Sequence, residues 1–206
     1  SIIISTGNSL NSGGDIVMNV NDATGSGGSI SFGAGNSQLL TGGSVVISSG
    51  SSTEQPSGSI RIATGETTAQ KSSGSVSFST GHGSDSSGDI SLSSGNSVEG
   101  NAGSVYIQSG ATDEGIGSTI EIAAGYSTQA NGGSILLRSG AGKQSDSGGV
   151  RLATTDAGST GSSGSVQIST GTSSQGASGS ILLSTGGSAG LHSGAISITA
   201  GASVSS

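Results

Sequence analysis

The sequence predicts an all-β fold: a parallel β-solenoid (β-helix) of about fourteen ~15-residue coils over residues 1–206, with a thin flattened core and uncapped ends. Two observations carry this expectation. A motif of apolar, any, apolar, any, Ser/Thr/Ala, Gly recurs fourteen times, and its first apolar residues are Ile2, Ile16, Ile30, Val45, Ile60, Val76, Ile90, Val105, Ile120, Ile135, Val150, Val166, Ile181 and Ile196. The spacing between them stays within 14 to 16 residues along the whole chain, the signature of a repeat architecture.

With the first apolar residue as position zero, position +2 is again apolar, as in Ile4, Phe32, Ile62, Leu92, Ile122, Leu152 and Leu183. Apolar residues two apart mark a half-buried strand, so positions zero and +2 are expected to face inward. Position +4, on the same face, is small, as in Ala34, Ser49, Thr80, Ala124 and Thr170, and is expected to lie inward near a corner. Position +5 is Gly in twelve of fourteen repeats, with Asn21 and Thr155 the exceptions. A corner with positive φ would explain it, Asn being the next most tolerant residue there. A second Gly stands at −2 in most repeats.

Between the glycines lies a variable stretch of Ser, Thr, Asn, Asp, Gln and Gly that absorbs all the length variation, as a tolerant loop does. Position +8 there is often Thr or Ser, as in Thr24, Thr53 and Thr128. Leu10, Leu39, Val98 and Val204 are expected to point inward from this second wall. The motif is under way at Ser1 and Ile2 and ends in the polar stretch at Ser206, so residues 1–206 read as one array, a segment of a longer chain.

Composition narrows the function. Forty Leu, Ile, Val and Phe residues against 41 Gly would border on disorder if the apolar residues were scattered, but they recur in register. Five cations, Arg61, Lys71, Arg138, Lys143 and Arg151, in a chain of net charge −7 form no basic stripe, so no nucleic-acid partner is expected. Apolar runs reach only three residues, so no membrane insertion is expected. Absence of cysteine removes disulfides and thiolate metal sites.

No residue set predicts catalysis, a cofactor or a metal. His82 and His192 lie in the variable stretches of distant repeats, with no carboxylate in a recurring position beside them. Segments such as Gly25–Gly28 lack the Lys-Ser/Thr ending and the helix of a phosphate loop. Asp15 and Asp89 occupy position −1, but Ser fills it in most repeats, so the recurring carboxylate of a calcium-binding β-roll is missing. Ice binding is the alternative function, because flat short-coil solenoids serve it. The outward positions +1 and +3 oppose it: Arg61, Glu121, Gln167, Tyr106 and Leu182 make no uniform Thr ladder.

The repeat, as in GSVSFSTG (74–81), GSVQISTG (164–171) and GSILLSTG (179–186), resembles the Gly/Ser-rich short-repeat arrays of microalgal-type β-solenoid surface proteins, and less closely filamentous-haemagglutinin-like adhesins. The resemblance implies an extracellular or cell-surface structural or adhesive fibre, not an enzyme. Its expected partners are copies of itself, joined end to end or laterally, and cell-wall or matrix polysaccharide. The outward apolar residues Ile3, Val17, Val46, Tyr106, Leu136 and Leu182 are the candidates for lateral contact.

Overall fold

The structure, a computed structural model, describes residues 1–68 and 71–203. Neither helix nor strand forms among these residues, which corrects the expected all-β parallel β-solenoid, its stacked coils and its capless ends. The thin core is absent too: no described residue is buried, and only Ser109 and Ser139 are half-buried. The surface left in water is 21044 Å², where a compact chain of 19.2 kDa would leave about 8,400 Å². The physical reason lies in the repeat. Each supplies two large apolar side chains to offset the ordering of some fifteen residues, many of them glycine, whose unfolded state has the most freedom to lose. A coil of that kind holds only if its neighbours stack on it, and no backbone ladder between repeats forms among the described residues.

The chain divides into two units, Ser1–Val105 and Tyr106–Ser206. Each alternates apolar motifs with loops. Each loop carries one bend, at 24–26, 38–40, 53–55 and 98–100 in the first unit, for example, and at 113–115, 128–130, 143–145 and 174–176 in the second. These bends fall at positions +8 to +10, inside the variable stretch and away from the recurring glycines. No described residue has positive φ, so the +5 glycines are not the left-handed corners the spacing predicted. Nor do they meet anything: a Cβ added at Gly35, Gly50, Gly125 or Gly171 would have open space around it.

The other glycine is the constrained one. At every position −2 occupied by Gly, an added Cβ would meet the +4 residue of the preceding motif, so these two residues form the neck of each loop. At Gly43 that Cβ would stand 3.1 Å from both the Ala34 Cβ and the Gly35 nitrogen. Position +4 is therefore small because a glycine backbone lies against it, and not because it lines a core. In the one neck without glycine, Ser118 replaces it, and the Ser109 hydroxyl donates to the Ser118 carbonyl at 3.3 Å.

Four necks close fully. The N–H of Gly43 donates to the Gly35 carbonyl (2.9 Å), Gly58 to Gly50 (3.0 Å), Gly133 to Gly125 (2.9 Å) and Gly148 to Gly140 (2.9 Å). All four have glycines eight residues apart and Ala or Ser at +4: Ala34, Ser49, Ala124 and Ser139. The necks at Thr170/Gly179 and Thr185/Gly194 share the spacing but stay open. There the β-branched Thr presents its Cβ and Cγ2 to the glycine, at 3.3 Å from an added Cβ at Gly179 and 3.8–4.0 Å at Gly194. A second branch on Cβ stiffens the side chain and leaves less room for the two peptide planes to meet. The Ser94/Gly103 neck also stays open, and nothing in the structure explains it.

The apolar motif retains a trace of its expected sidedness. Ile30 at position zero is 46% exposed and Phe32 at +2 is 70% exposed, against 88% for Tyr106 at +1. The loop residues Leu10 (104%), Leu39 (93%) and Val98 (100%), expected inward, lie in water. Val204 lies outside the described residues.

Two measurements follow from this architecture. In urea, the far-ultraviolet circular dichroism should drift without a sigmoidal transition, because little surface remains to be exposed and the denaturant slope scales with that surface. A cooperative transition would contradict the absence of a core. In the necks, Ala34→Thr should free the Gly43 amide and Thr170→Ala should let the Gly179 amide bond to Gly171. Amide exchange at Gly43 and Gly179 should change in opposite directions by a factor of about 3, the lower end of a net hydrogen bond's 0.5–1.5 kcal/mol.

Candidate functional site

The recurring unit with chemistry to offer is the loop between one neck and the next. Its shape is held by the residue at position +7. Position +7 is Ser or Thr in ten of fourteen repeats, and in eight of them its hydroxyl accepts a backbone N–H from the loop. The N–H of Leu40 donates to Ser37 Oγ (3.0 Å), Gln55 to Ser52 (3.0 Å), Gly100 to Ser97 (3.0 Å) and Gly115 to Thr112 (3.1 Å). Ala130 donates to Ser127 (2.9 Å), Gly176 to Ser173 (2.9 Å) and Leu191 to Ser188 (3.2 Å). In the first loop the bond is one residue shorter, from Asn11 to Ser9 at 3.3 Å. A hydroxyl that turns the backbone three residues ahead competes with regular structure and marks a turn. The available signal was the recurrence of Ser or Thr at +7; position +8 lies within the bend and carries no such bond.

Where +7 lacks a hydroxyl, the loop turns by other means. In the loop after Ala157, the Gly161 N–H donates to the Gly158 carbonyl at 3.2 Å, an ordinary turn bond. Gly83 and Gly142 precede bends at 84–85 and 143–145.

The residues weighed for chemistry are scattered over these loops and remain exposed. His82 stands one residue past the Gly81 of its motif, and His192 one residue past the bend at 189–191. Asp15 and Asp89 lie beside the neck glycines Gly14 and Gly88. Among the described residues no group of three or more His, Asp or Glu side chains converges, and no pocket forms. Nor is any helix long and apolar enough to cross a membrane. The ladder of evenly spaced side chains that ice binding would need has no sheet to hold it among the described residues.

The apolar motifs are the second feature of the surface. Ile3, Val17, Val46, Tyr106, Leu136 and Leu182 are all largely in water, and the residues at zero and +2 that were expected to be covered are exposed as well, those at zero about half. No family model matches this chain, and neither a curated protein nor a solved structure does.

The bend hydroxyl can be tested directly. Ser127→Ala removes the acceptor for the Ala130 amide, which should exchange about threefold faster, while the Gly133 amide in the adjacent neck should be unaffected. Equal changes at both amides would mean that bend and neck are one cooperative unit.

Proposed function

We propose that the chain is a non-catalytic structural or adhesive scaffold, extracellular or at the cell surface. Its apolar motifs hold copies of the chain together, and its hydroxyl-rich loops meet cell-wall or matrix polysaccharide. The observation that carries this reading is the exposure of the same apolar pair, zero and +2, in repeat after repeat. Monomeric soluble proteins seldom leave large apolar surface in water, and where it recurs it marks contact with a partner. Fourteen copies of one weak contact on one chain favour assembly through multivalency, where each further contact is made at high effective concentration. The low charge supports the same reading, since twelve carboxylates and five cations over 206 residues provide little repulsion between copies. The resemblance of GSVSFSTG-type repeats to surface-protein arrays points to the same class.

Sedimentation velocity across a concentration series tests the assembly, and retention on insoluble wall polysaccharide tests the second partner. Mean mass should rise with concentration. Placing lysine at Ile181 and Leu183 together should shift the half-assembly concentration upward about tenfold, equivalent to 1.4 kcal/mol. Gly187→Lys in the neighbouring loop, where an added side chain meets nothing, should leave it unchanged. A chain that stays monomeric throughout and is not retained by polysaccharide overturns the proposal.

A further inference from the structure

Arginine and lysine are sorted along this chain. All three arginines, Arg61, Arg138 and Arg151, stand inside apolar motifs at +1 or +3, whereas both lysines, Lys71 and Lys143, stand in loops. Glutamine follows the lysines. Gln108 and Gln167 lie in motifs, and the other six lie in loops. Every loop glutamine among the described residues sits at a bend: Gln38 in 38–40, Gln55 in 53–55, Gln129 in 128–130, Gln144 in 143–145 and Gln175 in 174–176. Both lysines are bend residues as well, Lys143 directly before Gln144 and Lys71 directly after Gln70, which is outside the described residues. All the described ones are exposed.

We propose that the loop bends are isopeptide cross-linking sites, with the glutamine carboxamides as acyl donors and the Lys71 and Lys143 amines as acceptors. The chemistry is acyl transfer by an external thiol acyltransferase of the transglutaminase class. Its thiolate attacks the glutamine Cδ, the Cδ–Nε2 bond breaks, and ammonia leaves with a proton. The neutral Nζ of a lysine on another copy then attacks the thioester carbonyl. The Cδ–Nζ amide forms, the thiolate is released and Nζ gives up a proton. Nothing is oxidised or reduced.

Three observations favour this modification. An acyltransferase needs an accessible glutamine side chain, and exposed loop tips are where enzymes act on a chain most readily. Bends at Gln55 and Gln129 are pinned by the Ser52 and Ser127 hydroxyls, so the backbone there is already turned. Finally, a chain with no cysteine cannot be locked covalently by disulfides, and isopeptide bonds are one covalent link that its glutamines and lysines can form. The purpose of the cross-link rests on the scaffold reading, whereas its chemistry does not.

The test uses the purified chain, dilute enough to be monomeric, with a microbial transglutaminase and a fluorescent primary amine, dansylcadaverine. Mass spectrometry should find the label on Gln38, Gln55, Gln129, Gln144 and Gln175 at least about tenfold faster than on Gln108 and Gln167, as expected for enzyme access at loop tips. Without the amine probe, at higher concentration, covalent oligomers should appear on a denaturing gel and be lost in the K71R/K143R double variant. Absence of label, equal labelling of Gln108 and Gln167, or oligomers that persist in the double variant each overturn the proposal. Labelling of dilute monomers does not depend on assembly, so a chain that labels but never self-associates retains these sites and loses only the scaffold reading.

Discussion

The approach that recurs along this chain is between a short residue at the end of one motif and a glycine just before the next, eight to ten residues later. Most of what is ordered depends on it. The approach brings two peptide groups within bonding distance at Gly35/Gly43, Gly50/Gly58, Gly125/Gly133 and Gly140/Gly148, and it fixes where each loop starts and ends. It also explains two sequence constraints at once, glycine on one side of the neck and a short side chain on the other. Val20 shows the limit: a Cβ added at the facing Gly28 would stand 2.5 Å from its Cγ1, so only glycine fits there without displacement of the side chain.

The local punctuation of the chain was legible in the sequence, and its tertiary outcome was not. Period, motif boundaries and the tolerant stretch all reappear as a regular succession of motif, neck and bend. The strand assignment rested on alternation at zero and +2, and alternation specifies which side chains share a face without specifying that anything covers that face. Ile30 and Phe32 are less exposed than Tyr106 on the opposite side, but no second layer meets them. The glycines were assigned by a rule that links a glycine at a segment's end to positive φ, whereas here close approach at −2 decides. Gly35 and its counterparts at +5 are left with neither reason, apart from the carbonyl that Gly35, Gly50, Gly125 and Gly140 lend to the closed necks. The bend hydroxyls were legible in principle, since Ser37, Ser52 and Ser127 recur at one offset.

Local order and distributed stickiness complement each other in a scaffold. Necks and bends use contacts between residues close in sequence, which cost little chain entropy to close. They therefore form without help from the apolar side chains, which stay available to other molecules. A chain that folded its Ile and Leu residues into its own interior would have fewer of them to share. The same division places both lysines and most of the glutamines and carboxylates in the loops, where they meet the surroundings.

The self-contained loop has a consequence for how such a chain changes over generations. A neck such as Ala34/Gly43 involves no residue outside its own repeat and the start of the next. Gain or loss of one whole repeat would therefore leave every remaining loop intact. Length becomes a freely adjustable trait, selected by reach and by the number of contacts offered, with no penalty in misfolding for an odd count.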